Sequence, residues 1–142
     1  MTISKKCKKK TNLVISCFYD SNIPTELPVG FGWAQILSTQ YKQKYNIIVL
    51  LHGENIRYGL NNKTYKEKYG IPNPYAKFLE KLFVKNNVVI VICHLCLVKD
   101  GINDDQLLKI VLPIPFSINF IAQMQLRGAL AIYDAQMGII NG

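Results

Sequence analysis

The sequence has 142 residues, a length typical of one domain, and its 49% hydrophobic and 18% charged residues exclude an intrinsically disordered chain. Five lysines within residues 5–10 supply much of the net charge of +8; without them, 12 basic residues face 9 acidic ones, which leaves +3. The charge therefore predicts a basic, disordered arm over residues 1–12, with a nucleic-acid or membrane anchor as the alternative, and a body that does not bind nucleic acid. No uninterrupted apolar stretch approaches the roughly 18 residues of a membrane span, so we expect no membrane association.

Five short apolar runs predict the strands. Four of them are nearly continuous, as strands buried on both faces of a parallel sheet require. They span residues 13–19, 46–51, 88–93 and 129–133. A fifth run, residues 110–114, contains Pro113 and precedes Pro115, which favours an edge position.

Helical signals lie between these runs. Asn73 precedes Pro74, a pair typical of an N-cap and first helical residue, and Ser117 is predicted to cap the last helix. The predicted helices span residues 32–45, 73–86, 104–109 and 117–127. Residues 54–72 are predicted to be irregular, either as a functional lid or as a solvated connection covered in an oligomer.

This alternation predicts an α/β fold, a three-layer α/β/α sandwich with an open, mostly parallel five-stranded sheet. A single flavodoxin-like domain over residues 13–142 accounts for the whole pattern. Apolar side chains left over by this arrangement are expected to form a subunit interface, which predicts a homo-oligomer, with a trimer favoured. The residues that we expect there are Tyr58, Phe116, Phe120, Ile139 and Ile140.

Three reactive or polar side chains fall at the carboxyl ends of predicted strands, where open parallel sheets bind ligands. They are Cys17, His52 and Cys93. The chain after Cys93 is predicted to be irregular, so its sulfur should meet solvent, where nearby His94 or Lys99, or a following helix N-terminus, could favour the nucleophilic thiolate. A packed cysteine or a satisfied core histidine is the alternative for each of these residues.

Cys93 and Cys96 also form a C-x-x-C motif, which in a βαβ setting can be a redox dithiol. A zinc site would need both cysteines, His52 and His94 to converge, and the chain has no second C-x-x-C and no H-x-x-x-H. We therefore expect neither a metal nor another cofactor. The four cysteines lack the spacing of a secreted disulfide framework, which predicts thiols in the reducing cytoplasm.

An ordered set of short motifs between residues 46 and 133 resembles the DsrE/DsrF-like family. The set consists of His52-Gly53, Tyr65, Tyr69-Gly70, Asn73-Pro74, Cys93, Gly101 with Asp104 and Leu107, and Gln125-Leu126-Arg127-Gly128. The resemblance implies a trimer or larger ring and a cysteine, here Cys93, that carries sulfane sulfur as a persulfide. The sequence departs from the family where His94-Leu95 follows that cysteine and where Ala129 replaces an aromatic residue.

Two hypotheses follow. In the first, Cys93 accepts and passes on a sulfane sulfur between a donor and an acceptor, either proteins or small sulfane-sulfur compounds, while His52 and His94 stabilise charge or relay protons. Cys96, Cys17 and Asn73 are secondary candidates for this site. In the second, the chain is a non-enzymatic oligomeric module that binds a small ligand or partner, and Cys93 is structural.

Overall fold

The computed structural model describes residues 9–17 and 27–133, and its sheet has the five strands that the sequence predicts. The strands are β1 (Thr11–Cys17), β2 (Tyr45–Leu51), β3 (Val89–Cys93), β4 (Val111–Ile114) and β5 (Leu130–Tyr133). Their order is β4-β3-β2-β1-β5, and each neighbouring pair is parallel. The predicted α/β fold with an open parallel sheet is confirmed, and β4 lies at an edge, as its proline favours.

The helices connect the strands in the predicted order. They are α1 (Val29–Gln40), α2 (Asn62–Tyr69), α3 (Ala76–Asn86), α4 (His94–Lys99) and α5 (Ser117–Leu126), with 3₁₀ helices over Gly53–Gly59 and Asp104–Gln106. The first helix begins and ends earlier than the predicted 32–45, because residues 41–44 form a turn into β2. Within the described ranges, none of the helices combines the length and apolarity that crossing a membrane requires.

The two faces of the sheet are covered unequally. Alternate strand side chains such as Ile15 and Val49 join a large apolar cluster with α1, α3 and the first 3₁₀ helix. On the opposite face, Val14 and Leu50 pack with Ile121 of α5 in a smaller cluster. Full burial of such side chains contributes roughly 1.5–3 kcal/mol each. Both helical layers are therefore present, but the second is thinner.

The segment predicted to be irregular, residues 54–72, is mostly helical. It holds most of the first 3₁₀ helix and all of α2. The Asn61 side chain caps α2 by accepting a hydrogen bond from the Thr64 N–H at 2.8 Å, and Gly70 ends it with a φ of 83°. Apart from two tyrosines this helix is polar, so it lacks the apolar periodicity that identifies a helix from sequence. The capping residues Asn61 and Gly70 are the sequence features that indicate it.

Asn73 ties this segment to α3. Its side-chain amide donates to the carbonyls of Tyr58 and Leu60, at 2.9 and 2.7 Å, and its side-chain oxygen accepts from the Tyr75 N–H at 2.8 Å. The helix itself begins at Ala76 and not at the Asn-Pro pair. Asn73 is therefore a buried structural clamp at the entry of α3.

The predicted arm and interface residues have mixed outcomes. The first strand begins at Thr11, while residues 1–8, most of the predicted arm, lie outside the described ranges, as do Ile139 and Ile140. Tyr58 is fully buried within the chain, where its ring packs edge-on against Phe31 and Tyr75, so it offers nothing to a subunit contact. Of the predicted interface residues that the structure describes, Phe116 is exposed, at 41%.

Candidate functional site

The candidate site lies where β2 and β3 end and α5 begins. His52 directly follows β2, and Cys93 is the last residue of β3. These strands are parallel neighbours, so the residues at their ends meet at one edge of the sheet. Ser117, the first residue of α5, reaches the same place because Cys93 pairs with Ile114 at the end of β4. The structure thus brings His52 and Cys93 together, as the topology predicts.

Cys93 is enclosed by the protein, with 0% of its surface exposed. The expectation that its sulfur meets solvent is wrong. It assumed an irregular chain after the strand, whereas α4 begins at His94, with Cys93 as its N-cap residue. A reagent therefore reaches this sulfur only through a local opening.

The sulfur of Cys93 lies among four hydrogen-bond donors. The backbone N–H groups of Cys96 and Ser117 donate to it from the first turns of α4 and α5, and the Cys96 thiol and Ser117 hydroxyl also donate. Burial raises the pKa of the Cys93 thiol, but the hydrogen bonds outweigh burial and bring the pKa below its usual value. The surroundings of Cys93 therefore stabilise a negatively charged sulfur.

Cys96 is the outer cysteine of the pair. It is half-buried, and burial together with the nearby Cys93 raises the pKa of its thiol. A hydrogen bond from the Gly53 N–H lowers this pKa but does not outweigh the other two effects. Gly53 has a φ of 62°, the left-handed region in which a residue with a side chain would be strained. The two cysteines thus differ in character, Cys93 favouring the thiolate and Cys96 the thiol.

His52 connects this pair to α5. Its Nδ1 lies 3.6 Å from the Cys96 sulfur and within hydrogen-bond distance of the Ser117 hydroxyl. Burial lowers the pKa of His52, which favours the neutral imidazole. The Ser117 hydroxyl has one proton: in the tautomer of His52 with its proton on Nε2, Nδ1 accepts it, and in the other tautomer Nδ1–H donates to Ser117 Oγ and leaves the hydroxyl proton for Cys93.

Ser117 is the site residue that the sequence analysis missed. It was predicted to cap the last helix, but Phe116 is the N-cap residue, and Ser117 makes no capping bond as the first helical residue. Its hydroxyl turns to His52 and Cys93 instead. No local pattern indicates this contact, because 65 positions separate Ser117 from His52.

The remaining predicted residues lie apart from this cluster. His94 is 46% exposed and pairs with Asp104, with 3.4 Å between Nδ1 and Oδ1, so its predicted role in the site stays a prediction. Cys17 is buried in the large apolar cluster, and its carbonyl accepts from Asn55 at 2.6 Å. Asn73 belongs to the clamp described above.

A cleft of about 290 Å³ opens beside the cluster. His52 and Cys96 line the cleft, together with two exposed apolar side chains, Leu95 and Phe116. The complete lining is His52, Gly53, Glu54, Leu95, Cys96, Lys99, Asp100 and Phe116. Cys93 is absent from this lining, so Cys96 presents the sulfur that a molecule in the cleft meets first.

Comparison with known proteins supports the fold. No protein-family model matches the sequence, and no curated protein does. Among solved structures, MTH1491 of Methanobacterium thermoautotrophicum, described as a protein of unknown function, superposes with a TM-score of 0.70 at 15% identity, covering 87% of this chain and 99% of that one. The ychN protein of E. coli superposes with a TM-score of 0.57 at 16% identity, covering 88% of this chain and 99% of its own. The likeness extends over nearly the whole of both proteins and concerns their fold.

Proposed function

We propose that this protein is a DsrE/DsrF-like sulfur carrier in which Cys93 holds sulfane sulfur as a persulfide. The observation that carries this proposal is the cluster of His52, Cys93 and Cys96, whose ring nitrogen and sulfurs lie within 4.8 Å of one another. The hydrogen bonds that lower the pKa of the Cys93 thiol support it. Two of these hydrogen bonds come from the backbone N–H groups of Cys96 and Ser117, which favour negative charge on the sulfur. They stabilise the Cys93 thiolate, the form of the residue that accepts the sulfur.

The transfer step is a thiol exchange at sulfur. The Cys93 thiolate attacks the outer sulfur of a donor persulfide, RS–SH; a bond forms between the two sulfurs, and the S–S bond of the donor breaks. The donor leaves as the thiolate RS⁻, and the proton stays on the transferred sulfur. An acceptor thiolate then attacks the outer sulfur of Cys93–S–SH and restores the Cys93 thiolate. Both steps conserve electrons and need no cofactor, and the reducing cytoplasm suits them because it keeps the thiols available.

Access to Cys93 runs through the cleft. Because Cys93 is fully buried and Cys96 lines the cleft, a donor enters past Cys96 and the first turn of α4. His52 holds the Ser117 hydroxyl in place beside the reacting sulfur. In this proposal His52 is a positioning residue, while Cys93 is the residue that reacts.

The test is sulfur uptake by the reduced, metal-free protein from a low-molecular-weight persulfide. We expect intact-mass analysis to show one added sulfur per chain and peptide mapping to place it on Cys93. Cys93→Ser should lose the added sulfur while keeping its circular dichroism spectrum, and Cys17→Ser should keep the sulfur. If Cys93 stays unmodified until the protein is denatured, the carrier function is refuted.

The same experiment separates the carrier from a redox dithiol. The proximity of the Cys96 thiol to Cys93 favours this second candidate. In the carrier, the wild-type protein and Cys96→Ser both retain the added sulfur on Cys93. In a redox pair, the Cys96 thiolate attacks the inner sulfur of Cys93–S–SH and releases HS⁻, so the wild-type protein ends as a reversible Cys93–Cys96 disulfide without added sulfur, whereas Cys96→Ser keeps the sulfur.

A non-enzymatic binding module is the other candidate, and the full burial of Cys93 favours it. In that case the cleft binds a ligand, Cys93 is a packed side chain, and neither sulfur uptake nor disulfide formation occurs. Resistance of Cys93 to the persulfide in the native protein would make this module the preferred account.

The proposal includes a homotrimer whose second subunit shields the cleft. Leu95 and Phe116 are 53% and 41% exposed at the cleft, and apolar side chains grouped at a functional opening suit a subunit contact. We expect light scattering at micromolar concentration to give the mass of three chains and Phe116→Glu to lower it. Val84→Glu is the control, because Val84 is exposed on α3 and does not line the cleft. A monomer mass for the wild-type protein would contradict this assembly.

A further inference from the structure

Three side chains with metal-binding atoms converge at the candidate site. The ligand atoms of His52, Cys93 and Cys96 all lie within 4.8 Å of one another. They come from the end of β2, the end of β3 and the first turn of α4, so the sheet fixes two of the three positions. The sequence analysis required His94 as a fourth member, and His94 lies outside this cluster.

One separation at the site matches tetrahedral zinc coordination. With Zn–S of about 2.3 Å and Zn–N of about 2.0–2.1 Å, a tetrahedral angle places the sulfur and nitrogen ligands roughly 3.6 Å apart. The distance from the Cys96 sulfur to His52 Nδ1 is 3.6 Å. An ion can therefore bind between these two atoms without a change in their separation.

Hydrogen bonds already connect the atoms that would bind a cation. They link His52 Nδ1 to the Cys96 sulfur and to the Ser117 hydroxyl, and they link these two groups to the Cys93 sulfur. The nitrogen and both sulfurs thus face one another across hydrogen-bonding protons. A divalent ion that takes the place of these protons uses the lone pairs of the nitrogen and the sulfurs, and the Cys96 thiol becomes a thiolate ligand by losing its proton.

We propose that His52 Nδ1 and the sulfurs of Cys93 and Cys96 bind a zinc ion, whose fourth position faces the cleft and takes water or the Ser117 hydroxyl. Two thiolates and one imidazole form a ligand set that zinc favours. The two thiolates also neutralise the charge of the ion. Three protein ligands with one open position are typical of a zinc site that exchanges a ligand, whereas structural zinc sites are closed by four.

The inference does not depend on sulfur transfer. It follows from the separations of the three ligand atoms and from their hydrogen bonds, both of which hold for the binding module as well. When zinc is bound, the Cys93 thiolate is a metal ligand and does not accept sulfur. Zinc binding and persulfide formation are therefore alternative states of Cys93.

The test is zinc titration of the reduced, metal-free protein, with no sulfane sulfur present. We expect calorimetry to show one zinc per chain and a heat that varies with the ionisation enthalpy of the buffer, because the Cys96 proton is released. Cobalt(II) in place of zinc should give the charge-transfer bands of thiolate ligands and the intense visible bands of tetrahedral coordination. These spectra test the unaltered protein and do not depend on the folding of any variant.

Variants then identify the ligands. Cys96→Ser and His52→Ala should each weaken zinc binding at least about tenfold, since changes even to groups that only support metal ligands cost about 10–100-fold. His94→Ala is the matched control, a histidine adjacent to Cys93 in sequence but outside the cluster, and it should bind zinc like the wild type. Absence of stoichiometric binding, a cobalt spectrum without charge-transfer bands, or equal affinity in Cys96→Ser would each overturn the zinc site. Because sulfur uptake is measured on metal-free protein, failure of one proposal leaves the other standing.

Discussion

Replacing Ser117 with alanine should raise the pKa of the Cys93 thiol, so that a smaller fraction of Cys93 is thiolate near neutral pH. The hydroxyl of Ser117 is one of the four donors to the Cys93 sulfur. A hydrogen bond to a charged group is worth about 1.5–3 kcal/mol, so losing it selectively destabilises the thiolate. The Ser117 and Cys96 N–H groups remain in the variant, so part of the stabilisation of the thiolate persists.

The measurement is the pH dependence of alkylation at Cys93, followed by mass spectrometry on reduced protein in the presence of a chelator. The midpoint of the profile should shift to higher pH in Ser117→Ala and further in the double variant with Cys96→Ala. The midpoint is the quantity to compare, because a change in exposure alters the plateau rate and leaves the midpoint in place. His94→Ala should show the wild-type midpoint. Superimposable profiles for wild type and Ser117→Ala would show that the hydroxyl does not stabilise the thiolate.

Replacing Asn73 with alanine should lower the free energy of unfolding by about 3 kcal/mol. The substitution removes three hydrogen bonds, two to the carbonyls of Tyr58 and Leu60 and one from the Tyr75 N–H. Tyr58 and Leu60 are fully buried, and a buried polar group that loses its partner costs about 1–3 kcal/mol. A loss of this size is a large part of the 5–15 kcal/mol that stabilises a typical domain.

Urea unfolding at matched protein concentration measures this loss as a lower midpoint at unchanged slope. Asn46→Ala provides the comparison, since Asn46 is an exposed asparagine whose side chain bonds only at the surface, to Asn12 at 3.1 Å. We expect that variant to lie within about 0.5 kcal/mol of wild type. Equal shifts for the two variants would contradict the assignment of Asn73 as a clamp.

The sequence predicted the sheet well because the strand signal is local. Runs such as Ile47 to Leu51 and Ile90 to Ile92 are apolar at successive positions, as strands covered on both faces of a parallel sheet require. Their alternation with helices then limits the topology to parallel crossovers. The meeting of His52 and Cys93 followed from this topology alone, before any contact was known.

The parts that the sequence missed depend on contacts between distant residues or on short helices. Helix α4 follows Cys93 directly. It spans only His94–Lys99, which is too short for the sequence to show a helical period. For that reason the exposure of Cys93 was predicted wrongly. Serine is a common N-cap residue, so the sequence suggests that role for Ser117. Its hydroxyl forms a hydrogen bond with His52 because the fold brings the two residues together.

The strand order has a consequence for synthesis on the ribosome. One edge of β1 pairs with β2, which follows it closely, but the other edge pairs with β5, the last of the described strands to be made. From the time β1 and β2 pair until residues 130–133 emerge, the nascent sheet presents an apolar strand with an open edge, a feature that promotes pairing between chains. The edge of β1 is therefore open to pairing with neighbouring chains during that interval, and β5 closes it within the chain.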